Sequence, residues 1–477
     1  MSNLLMDKMT EFITKTQYDN LPDELIQLAK LAIIDTLGVS LAGWKEPAVE
    51  IVKRVYSTEV NDPNGALLWG TPFKTTAENA AIINGTASHV LDFDDAAPSV
   101  ILHPSAPILA GITPLAEKLG SSGKDVITAY AIGTEVMLRL GQLVDLKHYQ
   151  LGWHSTATLG PIGVAAACSY LYKLNQEESA YAIAIAASMS SGLRRNFGTM
   201  TKSYHVGMGA SQGIQAATLA KNGFTGSKEI FGGEGFLYAF TGGENVEKIN
   251  GLIEKMAFGK PYDLLVTGLA VKKFPCCYAT HRLIRGVLTL KEENNLTYDQ
   301  VEEMTIVVPP GQLMPLVHSR PVTGLQGKFS AEYTALAALK DGYIKLSSFE
   351  DNQVMRPEIQ KMFPSVKVSE MEGTTKTSQE IEEIPFQITI KLTDGKILAM
   401  EVRHAPGSKA SPLSEEEHRG KWVDCIVQYA KVLEIADDQI QEKANLQYDN
   451  GLKLDAFNNF SDWIAQIHQQ VRLVESV

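Results

Sequence analysis

The sequence predicts a mainly α-helical fold with an α+β insert: a large helical domain built from both chain ends, carrying a smaller α+β unit as a lid. Two observations predict this. From about Ser2 to Gly259, apolar residues recur at three- and four-residue steps, and the same pattern returns from Lys421 to the end. Between these stretches the period drops to two, as in half-buried strands. The division is therefore 1–265 with 405–477 for the helical domain and 266–404 for the lid.

The elements follow in chain order. Pro22-Asp23-Glu24 is a helix-start signal ahead of Leu25, Leu28, Leu31, Ile33 and Ile34. GVAAACSY (163–170), AYAIAIAASMSSG (180–192) and GMGASQGIQAATLAKNG (207–223) carry Ala, Gly or Ser on every face, which suits helices packed closely on all sides. VEEMTIVVPP (301–310) alternates and is β-branched. FQITIKLTDGKILAMEVR (386–403) is two alternating runs joined by Asp394-Gly395, a hairpin signal. Between them KFSAEYTALAALKDG (328–342) is again helical in pattern. A polar stretch, SKASPLSEEEHRG, then separates Pro406-Gly407 from the last helical region.

Composition narrows the function. The chain has 477 residues, 44% hydrophobic and 21% charged, which excludes disordered, collagenous and fibrous classes. A formal charge of −12 repels phosphate backbones and anionic lipid, so nucleic acid and membrane surfaces are poor partners, and an anionic substrate needs a local cationic pocket. Cys168, Cys276, Cys277 and Cys425 are too few for a disulfide framework, and the reducing cytoplasm is the expected compartment. Asp7 and Glu11 interrupt any signal-peptide core, and Ala157–Leu174 reads as a buried helix rather than a membrane span. No G-x-G-x-x-G and no G-x-x-x-x-G-K-[ST] occurs, so no nucleotide cofactor is expected.

The chemistry-bearing residues gather at helix entrances rich in Gly, Pro and small residues. His103 lies in ILHPSAP. His154 lies in GWHSTATLG, where Ser155 and Thr156 are candidate caps. Lys202 and His205 lie in NFGTMTKSYHVG, and Lys272 and Lys273 in VKKFPCCYATH. His89, Asp92, Asp94 and Asp95 in HVLDFDD offer oxygen ligands for Mg²⁺ or Ca²⁺. The chain lacks H-E-x-x-H and the EF-hand order of ligands, so we read them as carboxylates that cap and orient histidines, with no metal. Imidazoles of near-neutral pKa beside ammonium groups suit one reaction class, removal of a proton from carbon next to a carboxylate. The carbanion can then lose a β leaving group, be reprotonated on the other face, or follow loss of a carboxylate. Residue types alone do not choose among these.

LAIIDTLGVSLAG (31–43), HVLDFDD with HPS (103–105), GWHSTATLGPIGVAAA (152–167), NFGTMTKSYHVG (196–207), KKFPCCYATH (272–281), RPVTGLQGKFSAEYTALAALKDG (320–342) and HAPGSKASPLS (404–414) resemble, in order, the motifs of the MmgE/PrpD superfamily. That superfamily includes 2-methylcitrate dehydratase, cis-aconitate decarboxylase and iminodisuccinate epimerase. The resemblance implies a cofactor-independent homodimeric enzyme acting on a small di- or tricarboxylate between its helical domain and lid. Position by position it assigns the site to Asp92, His103, His154, Lys202 and Lys272. The expected roles are His103 and His154 as base and acid on opposite faces, Lys202 and Lys272 on substrate carboxylates, and Asp92 orienting or charging a histidine. His205, Cys277, His281 and His318 are expected to bind substrate or support these. Cys277 stands where the decarboxylase branch has a histidine, His318 where it has a tyrosine, and Ala96 where it has a hydroxyl residue. The Asp92-to-His103 loop, one residue longer than in the decarboxylase branch, together with NFGTMTK, FPCCYATH and TGLQGKFSAEY, resembles the epimerase branch, with a dehydratase or decarboxylase as the alternative and a non-catalytic helical binding protein as the alternative of another class.

Overall fold

The computed structural model describes residues 2–56, 65–243, 246–435 and 438–470. The N-terminal stretch forms α1 (Ser2–Lys15), α2 (Asp23–Ala42), α3 (Pro47–Tyr56), α4 (Ala77–Val90), α5 (Ser105–Leu119), α6 (Gly123–Gln150), α7 (Ser155–Leu171), α8 (Gln176–Met189) and α9 (Met200–Lys221). α2 starts where Pro22 sets it. It is the one described helix long and apolar enough to cross a membrane, and 83% of that window is buried inside the core. The apolar run of α7 is likewise enclosed, every residue from Ser155 to Ser169 being buried.

The small residues explain how so many helices share one core. A Cβ at Gly85 on α4 would lie 2.7 Å from the Cα of Gly207 on α9, and a Cβ at Gly207 would run into the Ile82 carbonyl. Gly111 on α5 and Gly213 on α9 both seat Val164 of α7. Backbones this close leave little distance between side chains at neighbouring helix ends. His89 at the end of α4 and Lys202 at the start of α9 are brought together in this way.

The inserted stretch forms α10 (His281–Glu293), α11 (Ala331–Asp341) and strands β1 (Val301–Val308), β2 (Val366–Glu370), β3 (Phe386–Leu392) and β4 (Ile397–Val402). The sheet order is β2-β1-β3-β4, with β1 and β2 parallel and the other pairs antiparallel. Met304 faces Ile390 and Ile306 faces Ile388, so the alternation read in the sequence puts one apolar face under the two helices. Gly395, at φ 90°, closes the expected hairpin. β2 was not legible. Its five residues, VKVSE, expose most of their side chains and are held by pairing with β1.

The final helices are α12 (Glu415–Val432), α13 (Ile440–Gly451) and α14 (Ser461–Gln470). α12 begins at Glu415 rather than Lys421. Ser414 and Glu417 form a reciprocal capping box, and Glu415 and Glu416 sit favourably at the positive end of the helix dipole. The second half of the polar stretch, EEEHRG, is thus the first turns of a helix, while SKASPL before it is non-helical.

Trp422 and Trp463 of this final region share a core with Leu25, Ile34 and Val164, so both chain ends build the helical domain. A second core holds Leu283, Ile306, Tyr333 and Ile388. A small third cluster, Tyr149, Phe197, Cys277, Ala279 and Phe329, draws side chains from both parts. Where the chain passes between the parts, Ala270 pairs with Ala96 and the Val271 N–H donates to the Gly407 carbonyl.

Candidate active site

The third cluster borders a cavity with an empty volume of about 690 Å³, lined by Asp92, His103, His154, Lys202 and Cys277 among others. α4 ends at Val90, and Asp92 follows at φ 52°. A left-handed conformation is uncommon for a side chain other than glycine, and here it is held by interactions on all sides. The Asp92 Oδ1 accepts from Lys202 Nζ at 2.9 Å and from Lys272 Nζ at 3.0 Å, and Lys272 also donates to the Asp92 carbonyl at 2.8 Å. Burial works against the Asp92 charge, but the two ammonium groups overcome it and hold the carboxyl well below the usual range. Its Oδ2 has no hydrogen-bond partner.

The histidines are orientated by neighbours in the same loop. His89 Nδ1 lies 2.8 Å from Asp94 Oδ2, so it carries the proton, and His89 Nε2 accepts from Lys202 Nζ at 2.6 Å. Burial keeps His89 neutral, at about 3. His103 Nδ1 lies 2.7 Å from the Asp95 carbonyl and 3.3 Å from Asp94 Oδ2. Both partners can only accept, so the proton sits on Nδ1 and the Nε2 lone pair is free. Burial lowers the His103 pKa, opposed by Asp94. His103 is thus a neutral imidazole of defined tautomer with a basic nitrogen to offer.

His154 lies at the entrance of α7. Its Nδ1 is 3.2 Å from Nδ1 of His205 on α9, and its buried Nε2 has no partner. Burial, with Lys202 nearby, holds His154 well below its ordinary value. The Ser155 and Thr156 hydroxyls do not cap α7. Thr156 Oγ1 instead accepts from the His103 backbone N–H at 3.0 Å, tying the two histidine loops together. The Lys202 ammonium sits 5.2 and 5.1 Å from the ring centroids of Phe197 and Phe329, an enclosure that strengthens its field.

Several expectations are corrected. Asp92 orients lysines rather than a histidine, and Asp94 takes the histidine role because its Oδ2 reaches both His89 and His103. Lys272, expected on a substrate carboxylate, is instead fully buried, bonded to Asp92 and absent from the cavity wall. His281 is buried among Cys276 and Phe274, with Nε2 on the Cys276 carbonyl, and lies off the cavity wall. His318 is also off the wall and sits 3.3 Å from the Phe197 carbonyl. Cys277 does line the cavity, its thiol pushed up to about 11 by burial and therefore protonated at neutral pH.

The HVLDFDD carboxylates were expected to orient histidines, and Asp94 does so, although neither His89 nor Asp94 was expected among the catalytic residues. His89, Asp92, Asp94 and His103 do converge within 4.8 Å. Lys202 occupies the gap between His89 and Asp92, so the positive charge these groups need is supplied by ammonium. Lys328 was missed altogether. It donates to the Leu91 carbonyl at 2.5 Å and is lowered to about 8 by burial; its only sequence signal is the TGLQGKFSAEY motif.

A two-part helical fold that brings His103, His154, Lys202 and Asp92 to one cavity has the groups that acid–base chemistry uses. The MmgE/PrpD N-terminal domain matches residues 7–249 and the MmgE/PrpD C-terminal domain residues 274–449, and the chain belongs to the MmgE/PrpD family. It is 30% identical over 421 residues to the cis-aconitate decarboxylase of Mus musculus, covering 85% of this chain and 83% of that protein. The human cis-aconitate decarboxylase is 28% identical over 417 residues, 84% of each chain. The 2-methylcitrate dehydratase of Salmonella typhimurium is 24% identical over 415 residues, 81% of this chain and 80% of that one.

Proposed function

We propose that this protein is a cofactor-independent lyase that removes a proton next to a carboxylate of a small polycarboxylate. The observation that carries the reading is the fixed tautomer of His103, whose free Nε2 shares a cavity with the Lys202 ammonium. The α-proton passes to His103 Nε2. The developing enediolate charge lies on the substrate carboxylate, where Lys202 stabilises it in a water-poor setting. With His205 donating to its Nδ1, His154 presents an N–H from Nε2 and can donate to a departing or charge-gathering oxygen. Departure of a β group from the enediolate completes a dehydratase turnover. In a decarboxylase turnover no α-proton is removed: CO₂ leaves first and the carbanion so formed takes a proton from the His154 Nε2–H. Both are activities named for the relatives.

A second reading is an epimerase, in which the carbanion is reprotonated from its other face. The arrival of His103 and His154 from separate loops favours it. The test is an NMR screen of small di- and tricarboxylates in deuterated buffer: epimerisation and decarboxylation place a solvent deuteron on carbon, and dehydration appears as a new vinyl signal. His103→Ala should lower turnover about 10²- to 10⁴-fold. Wild-type turnover in that variant would remove His103 from the role.

A further inference from the structure

A carboxylate-binding cavity has no obvious use for a carboxylate of its own beyond the one its lysines neutralise. Glu382 nevertheless lines this cavity. It lies on the short helix Ser378–Glu383, which packs against the Pro98–Val100 turn of the helical domain, and its side chain is 27% exposed. It belongs to a polar group separate from that of Asp92. Arg282 Nη2 stands 3.6 Å from Glu382 Oε1, Gln312 bridges Arg282 and the Ala279 carbonyl, and Tyr278 lies alongside.

Arg282 does not make this group a second anion site. Its guanidinium donates to the carbonyls of Ile381 and Ile384 and to Gln312 Oε1, and stacks 4.1 Å from the Phe386 ring centroid. It is buried, and it is absent from the cavity wall. Arg282 stands behind Glu382, which itself forms part of the cavity wall and is partly exposed there. A substrate group placed there meets an acceptor, so a donor such as a hydroxyl, amine or amide N–H is favoured and a further carboxylate is opposed.

We propose that Glu382 is a specificity-determining residue that selects substrates with a hydrogen-bond donor, rather than an additional carboxylate, at its end of the cavity. This deepens the proposed function by narrowing its substrate class, and it rests on that reading only for the identity of the reacting end.

The test is equilibrium binding, which does not need turnover. Succinate and propane-1,2,3-tricarboxylate are titrated calorimetrically at pH 8 into the full-length wild type, Glu382→Gln and Glu382→Asp. Gln keeps the shape and removes the charge. The expected result is that Glu382→Gln strengthens the tricarboxylate roughly tenfold relative to succinate, the size of one removed charge clash of about 1.4 kcal/mol. Glu382→Asp should keep the wild-type preference. An unchanged ratio in Glu382→Gln, or tricarboxylate already favoured by the wild type, overturns the proposal. If the deuterium screen is blank but the ratio shifts, the lyase reading fails and the selectivity role stands.

Discussion

At the residue scale, the site rests on fixed proton positions. His154 and His205 meet through like nitrogens, so only one of the two Nδ1 atoms can hold a proton when both rings are neutral. Removing the His205 ring should cost about one hydrogen bond, near 1.4 kcal/mol, and so roughly tenfold in kcat. We expect His205→Phe to show that loss with a displaced pH–rate profile and KM held, and His205→Asn, which keeps an N–H, to recover part of it. An unaltered pH profile in His205→Phe would show that the contact only fills space. Lys272 yields a different signature. Lys272→Met leaves Asp92 with one cation in place of two, and breaking a buried pair typically costs about 3–5 kcal/mol. The melting temperature and kcat should fall together while KM changes little, because Lys272 does not reach the cavity. A large rise in KM alone would return the lysine to the substrate.

At the element scale, the decisive contact is α4 against α9. Their glycines place His89 and Asp92, at and just beyond the end of α4, beside Lys202 at the start of α9. An added methyl at Gly207 meets the Ile82 carbonyl, a backbone atom that cannot rotate away. Overpacking of this kind costs about 1–3 kcal/mol. Gly207→Ala should therefore lower both the melting temperature and kcat, since the helices must separate and the Lys202 contacts lengthen. Normal activity with a lowered melting temperature would show that the site tolerates the separation. The small-residue runs announced tight packing, and this was legible. Which glycine meets which was not, because the pairing depends on the crossing angle of two helices more than 100 residues apart.

At the scale of the whole molecule, buried titratable groups set the pH response. Seven histidines, 89, 103, 148, 154, 205, 281 and 418, are held below their ordinary value, chiefly by burial. Each is neutral when folded and takes a proton on unfolding below about pH 6.5. The stability they supply is complete above that pH and is lost as the pH falls toward the folded values, about 3 for His89 and about 4 for His148. Five carboxyls, Asp95, Glu135, Asp145, Glu332 and Glu382, are raised by burial and act oppositely, their contribution being lost as pH rises. The histidine excess wins on the acid side. Above about pH 6.5 the histidines are spent, while Asp95, at about 8, still loses stability with rising pH. Thermal melts from pH 4 to 9 should peak near pH 6.5. A steady rise through pH 8 would contradict this balance.

The sequence by itself determined the helical and strand periods, the hairpin at Asp394-Gly395, the family, and the helix entrances that hold His103, His154 and Lys202. Those are properties of local spacing and residue type, which no tertiary contact needs to supply. The tertiary structure alone decided that Asp92 serves two lysines, that Asp94 orients the histidines, that Lys272 stands behind the wall, and that Glu382 faces the cavity. Each of these joins residues from distant parts of the chain or turns on the direction of a single side chain. A left-handed residue such as Asp92 sends its carboxylate where no regular period points.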